Sequence, residues 1–344
     1  MKGKIPMRRR SRIFATALVA VGAVALTACG GGASDSTGGD ARTGDGSAGS
    51  LKLVAYAVPK VGFDKILPAF AETDPGKGVE ISDSYGPSGD QSRSVANGGP
   101  ADVVNFSVEP DVNRLVKAGR VDENWNKDAH NGVPFGSVVT IVVRKGNPKN
   151  IQSWDDLLKP GIKIVTPSPL SSGSAKWNVL APYAEKSQGG TNPQAGLDYL
   201  GTLISEHSES FPASGRDATE QFLNGNADAL LSYENEALLI ESQGKEVEHV
   251  TPKQTFKIEN PVAVLKDSAN LEKANAFKDY LYTADAQRLW AEAGFRPVDP
   301  QIAQEFADKF PSPDKLWTIA DLGGWSKVDQ ELFGENGSVS KLFS

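Results

Sequence analysis

Cysteine occurs once in this 344-residue chain, at Cys29, so no intramolecular disulfide can form and stability has to come from packing. Histidine occurs three times, at His130, His207 and His249, in no recognisable triad order and in no His-x-x-x-His pair; surface positions are expected for all three. No Cys-x-x-Cys and no carboxylate cluster suggests a metal, and no cofactor is expected. A Gly-x-x-x-x-Gly-Lys-Ser/Thr loop is absent, which argues against a nucleotide phosphate site. A basic excess is absent too. The formal net charge is -7; six of the 36 basic residues and none of the 43 acidic ones precede Cys29, which leaves 30 against 43, or -13, for the rest. Nucleic acid rewards a basic patch and is not an expected partner. Such a surface would also repel an anion at long range, so any anion site must rely on local dipoles.

Residues 1–28 read as a targeting segment. Lys2, Lys4, Arg8, Arg9, Arg10 and Arg12 precede an apolar run from Ile13 to Ala28, which is short for a membrane span and placed as a signal h-region. It ends in Leu26-Thr27-Ala28-Cys29, which resembles the bacterial lipobox, with Cys29 the residue to be lipidated; an ordinary export signal with an incidental cysteine is the plainer alternative. Arg8-Arg9-Arg10 also raises twin-arginine export, although its flanks fit that motif poorly. Residues 29–50 are nearly all Gly, Ser, Asp, Thr and Ala after Cys29; they cannot bury a core and read as a flexible tether.

From Leu51 on, apolar strand patterns alternate with amphipathic helix patterns. Strands are expected at 51–58, 79–85, 101–106, 138–145, 162–166, 229–233 and 261–265. Helices are expected at 63–73, 88–96, 112–118, 176–185, 197–205, 218–224, 234–243, 271–282 and 284–293, with a largely helical C-terminal third. This order implies an α/β fold with a parallel sheet, and the length suffices for two lobes.

Three Ser/Gly turns each stand just before a helix: Gly86-Pro87-Ser88-Gly89, Ser171-Ser172-Gly173-Ser174 and Ala213-Ser214-Gly215. A helix start carries unpaired N–H groups and a partial positive charge. Glycine lets backbone approach and serine adds a hydroxyl. Any one such turn is an ordinary cap. Three of them in separate strand–helix units, at the ends where ligands of open α/β sheets bind, point to a small ionised oxyanion held without basic side chains. A serine hydrolase is the sharper alternative, but Ser88 is followed by Gly89-Asp90 rather than by the second glycine of a Gly-x-Ser-x-Gly elbow. Asp155-Asp156 reads as helix-dipole stabilisation rather than paired acids. Tyr233, at the end of an apolar strand, is either packing or a phenolic donor into the cleft.

The chain resembles the sulfate/thiosulfate-binding proteins of ABC importers. The matching stretches are Tyr85-Gly86-Pro87-Ser88-Gly89-Asp90-Gln91, Val143-Arg144-Lys145-Gly146-Asn147-Pro148-Lys149, Trp154-Asp155-Asp156-Leu157, Thr166 through Trp177-Asn178, Tyr233-Glu234-Asn235-Glu236-Ala237, Phe295-Arg296-Pro297-Val298-Asp299 and Asp321-Leu322-Gly323-Gly324-Trp325. The resemblance implies a two-lobed periplasmic-binding-protein (type II Venus-flytrap) fold, with residues 51–137 and 263–344 as lobe I and 138–262 as lobe II. It implies an extracytoplasmic, lipid-anchored monomer without catalysis that delivers sulfate to ABC permease subunits; thiosulfate, molybdate or phosphate are alternatives. By motif position, Ser88 would give a hydroxyl, Ser172 a hydroxyl or backbone donor, and Gly173, Ser174 and Gly215 backbone N–H groups. Ala57-Val58 would add one more N–H, and Tyr233 stands where the family commonly has Trp. Ser174 replaces a common second glycine, and Ala57 a common acidic residue.

Overall fold

The computed structural model describes residues 49–344. The basic leader, Cys29 and the tether through residue 48 lie outside the described residues. The first strand, β1 (Ser50–Tyr56), is buried along almost its whole length. It leads into α1 (Lys60–Ala71), whose Phe63, Ile66 and Phe70 recur at helical spacing and face the core. Then follow β2 (Glu80–Gly86), α2 (Ser88–Ala96), β3 (Val103–Asn105) and α3 (Glu109–Lys117).

The chain next crosses to β4 (Phe135–Arg144), ten residues of which nine are buried, so it must be sheet centre rather than edge. β5 (Ile164–Val165), α4 (Gly173–Lys186), α5 (Pro193–Thr202), β6 (Ser208–Ser210), α6 (Gly215–Asn224), β7 (Ala229–Tyr233) and α7 (Glu234–Ser242) come after it. β8 (Val247–Val250) and β9 (Gln254–Glu259) lead through Asn260-Pro261 to β10 (Val262–Val264). The remainder holds α8 (Leu271–Tyr280), α9 (Ala284–Glu292), β11 (Arg296–Pro297), α10 (Pro300–Glu305), β12 (Lys315–Trp317) and α11 (Trp325–Val328).

Two sheets result. One has the order β10-β3-β1-β2; the other runs β12-β9-β4-β7-β5-β6, with β8 and β11 also pairing to β4. The expectation of parallel pairing holds for β1 with β2 and β3, and for β5 with β6 and β7. It fails for β10 on β3, and for β7, β8, β9 and β11 on β4, all antiparallel. The reason is directional: β3 carries the chain toward the second sheet and β10 brings it back, so the two run oppositely. The C-terminal part is less helical than expected, because β11 and β12 join the larger sheet. β12 pairs with β9, so residues 315–317 sit on the second sheet although they belong to the 263–344 segment expected in lobe I.

Each layer has its own aromatic anchor. Trp290 meets Phe63, Phe135 and Phe295 at centroid distances of 5.1, 4.1 and 5.3 Å, and Trp177 meets Trp325 at 4.9 Å. Burying such rings is worth several kcal/mol each and fixes the frame on which the turns between elements are held.

Candidate functional site

Four chain segments from both sheets enclose one small cavity: Tyr56-Ala57-Val58 after β1, Gly86-Pro87-Ser88 at the start of α2, Ser172 and Ser174 at the start of α4, and Ser214-Gly215 at the start of α6. Its empty space is about 170 Å³, mouth included. The enclosed part proper is only about 10 Å³, far below the roughly 300–1,000 Å³ that organic ligands occupy. Three helix N-termini therefore aim partial positive charge at a space the size of a small ion. Among the described residues, no group accepts from the backbone N–H of Val58, Ser88, Gly173, Ser174 or Gly215.

Six of the eight residues picked out by sequence line this cavity: Ala57, Val58, Ser88, Ser172, Ser174 and Gly215. The helices α4 and α6 begin three residues earlier than periodicity alone suggested, because Ser172 and Ser214 take the N-cap position in extended backbone. Gly173 does not line the cavity but opens α4 against the other layer. A Cβ there would lie 2.7 Å from Ser107 Cβ and 3.3 Å from Ser88 Cβ. Tyr233 is buried and not among the lining residues; its hydroxyl shares a 2.8 Å hydrogen bond with Ser107 Oγ. Burial pushes its phenol well above the ordinary tyrosine range, although hydrogen bonds with Ser107 and Asn260 act the other way.

Ser88 corrects one expectation. Its hydroxyl donates to Asp111 Oδ2 at 2.7 Å and accepts from Ser107 N–H at 2.9 Å. The proton is thus committed away from the cavity, and what Ser88 can offer there is its backbone N–H. Asp111, itself buried, is held on its other oxygen by Arg114 at 2.8 Å. Across the cavity, the hydroxyls of Ser172 and Ser174 bond each other at 2.7 Å, so one proton of that pair stays available.

The two layers touch directly around this point. Gly89 N–H donates to Ser171 O at 3.1 Å, and Ser107 O accepts from Trp177 Nε1 at 2.7 Å and from Asn260 Nδ2 at 2.9 Å. Ser107 was not visible as a site residue in the sequence, since two of its bonds use only its carbonyl.

Among the described residues, no carboxylate lines the cavity. Glu234 is gripped by Arg296 through two bonds of 2.7 and 2.8 Å, and Asp217 accepts from the Ser214 hydroxyl at 2.7 Å. Glu236 is buried against Arg216 at 2.9 Å and Thr219 at 3.2 Å; burial raises its pKa, and these partners oppose the rise. Asp156 accepts from Gln152 N–H at 2.8 Å and Ser153 N–H at 2.9 Å, and Asp155 pairs with Lys186 at 2.7 Å, so both are structural.

Of the three histidines, only His207 departs from the surface expectation; His130 and His249 are partly exposed. His207 is buried with Nδ1 on Ile162 O at 3.0 Å, His249 Nδ1 bonds Glu241 at 2.7 Å, and His130 stacks on Tyr282 at 5.3 Å. Each ring finds a local partner, and none lines the cavity, so neither Ser88 nor Ser172 has a histidine base. A larger, open groove beside β4, β9 and β11 lies apart from the three Ser/Gly turns.

The family profile of the bacterial extracellular solute-binding proteins matches residues 51–296. A solved structure of the sulfate-binding protein SubI from Mycobacterium tuberculosis H37Rv is 63% identical, with a TM-score of 0.82, and covers 83% of this chain and 100% of that one. The sulfate-binding protein of Synechococcus elongatus is 39% identical over 87% of this chain and 88% of its own. The thiosulfate-binding protein of Pseudomonas aeruginosa is 32% identical over 85% and 91%. With its two sheets and the cavity between them, the chain has the two-lobed fold of the periplasmic binding proteins and belongs to the bacterial extracellular solute-binding proteins, in their sulfate/thiosulfate-binding family.

Proposed function

We propose that the chain captures sulfate between its lobes outside the cytoplasm and delivers it to the permease of an ABC importer. The observation that carries this is the convergence of three helix starts and the β1 turn, with unengaged N–H groups, on one ion-sized cavity. Burying a dianion is costly unless hydrogen bonds replace its water, and backbone N–H groups at helix starts do this without a counter-charge. Val58, Ser88, Ser174 and Gly215 act as backbone donors, the Ser172–Ser174 pair as the hydroxyl donor, Gly173 seats the start of α4 against Ser107, and Ala57 shapes the turn. Tyr233 acts through Ser107, as a clasp between lobes. Lobe I comprises 51–137 and 263–344 apart from the β12 strand, and lobe II 138–262. The chain carries its ligand rather than transforming it, a reading supported by its solute-binding relatives and by the absence of the three histidines from the cavity lining.

Calorimetric titration with sulfate, thiosulfate, molybdate and phosphate tests the reading. One site with sulfate tightest is expected; absence of heat with all four overturns it. Thiosulfate is the second reading, favoured by the Pseudomonas relative, whose name gives that ligand.

The leader and the family's extracellular setting support a lipid anchor at Cys29, with residues 29–50 as tether and the folded part acting as a monomer. Cys29→Ala is expected to abolish incorporation of a fatty-acid probe and the coupled cleavage after Ala28. Equal labelling of the variant and the parent would exclude the anchor.

A further inference from the structure

Tyr56 closes β1 at the rim of the cavity and is one of its lining residues. The residue is 2% exposed, and among the described residues its hydroxyl has no hydrogen-bond partner. Buried tyrosine hydroxyls nearly always find a partner, because an unmade hydrogen bond there forfeits the group's hydration. The two polar groups of the second lobe whose fields reach Tyr56 are Tyr233 and Glu236. Both are engaged elsewhere, Tyr233 on Ser107 and Glu236 on Arg216 and Thr219. An unpaired donor at the wall of an anion cavity is what a ligand oxygen would complete.

We propose that the Tyr56 hydroxyl is a further donor to the enclosed oxyanion, the side-chain complement to the backbone N–H groups of the helix starts. This deepens the oxyanion reading of the cavity and rests on it. Burial raises the phenol's pKa well above the ordinary tyrosine range, and Tyr233 and Glu236 add to the rise, so the group stays protonated and able to donate at any pH at which the protein works. The donor also favours an anion with four equivalent acceptor oxygens, since a phenol from β1 and the N–H groups of α2, α4 and α6 reach the ion from different sides.

Tyr56→Phe tests this on the full-length folded part, because it deletes one oxygen and keeps the ring in its packing. Sulfate affinity is expected to fall roughly ten- to a hundredfold, the value of one hydrogen bond to a charged group. The melting temperature without sulfate is expected to stay level or rise, since an unpaired buried hydroxyl has been removed, while the rise in melting temperature on adding sulfate shrinks. A merely structural tyrosine gives the reverse: a lower melting temperature without sulfate and an unchanged dissociation constant. That result would overturn the proposal and leave the cavity reading standing, provided Ser172→Ala weakens sulfate in parallel. If the parent protein takes up no sulfate, the reading beneath the proposal falls with it.

Discussion

Gly173→Val is expected to cost at least about a hundredfold in sulfate affinity and to leave each lobe folded. A Cβ at this position would come within 2.7 Å of Ser107 Cβ, well inside contact distance, and Ser107 belongs to the opposite lobe. The valine therefore pushes on the closed interface rather than on a core. Forced apart, the lobes lose the Gly89 to Ser171 bond and the simultaneous reach of α2 and α4 to the ion. Loss of two hydrogen bonds to a charged group, at about 1.5–3 kcal/mol each, corresponds to roughly 10²–10⁴-fold in affinity. Ser172→Ala makes the milder control: it breaks the 2.7 Å pair with Ser174 and removes one hydroxyl, for a loss of roughly ten- to a hundredfold. Calorimetry reads both, and thermal melting checks that the lobes remain intact. Unchanged dissociation constants in both variants would move the ion out of this cavity altogether.

Much of this site is legible in the sequence because helix starts are local. Ser88, Ser172 and Ser214 mark turn and cap positions by residue type, and the strand–helix order places the turns at sheet ends where ligands gather. What stays hidden is whatever depends on a distant partner. The Ser88 hydroxyl looks like a free donor until Asp111, 23 residues on, is seen to take its proton. Tyr233 reads equally as packing or as ligand, and only the cross-lobe bond to Ser107 decides for a clasp. Tyr56 reads as one more residue of the 51–58 strand, because nothing local reveals that its hydroxyl lacks a partner. The fold shows the same division. β4 announces itself by a continuous apolar run, whereas β9 and β12 form largely because neighbours offer an edge; Lys315-Leu316-Trp317 is too short to carry a strand period of its own.

Phosphate is expected to compete with sulfate some 10⁴–10⁵-fold less well, and least of all at the acid end of the range. At neutral pH sulfate is acceptor-only, while phosphate keeps one proton and gains a second as pH falls. A cavity built of donors accommodates the first and leaves the protons of the second unpaired, a mismatch worth factors of that order. The carboxylates that would rescue phosphate are all occupied. Glu234 is held by Arg296, Glu236 by Arg216 and Thr219, and Asp217 by Ser214. Asp111 and Asp217 each sit behind a lining serine, Ser88 and Ser214, whose proton is turned toward the carboxylate. The Ser88 oxygen, already receiving Ser107 N–H, is thus one lining acceptor through which a phosphate proton could be relayed, and the Ser214 oxygen, whose proton goes to Asp217, is another. Competition of phosphate against labelled sulfate between about pH 5 and 8 reads the effect, and Ser88→Ala should widen the gap by removing the first acceptor while keeping the backbone N–H. Equal displacement by equimolar phosphate would show that a serine–carboxylate route takes the proton, which would turn the same cavity into a phosphate site; the Ser88→Ala variant then tells the Asp111 route from the Asp217 one.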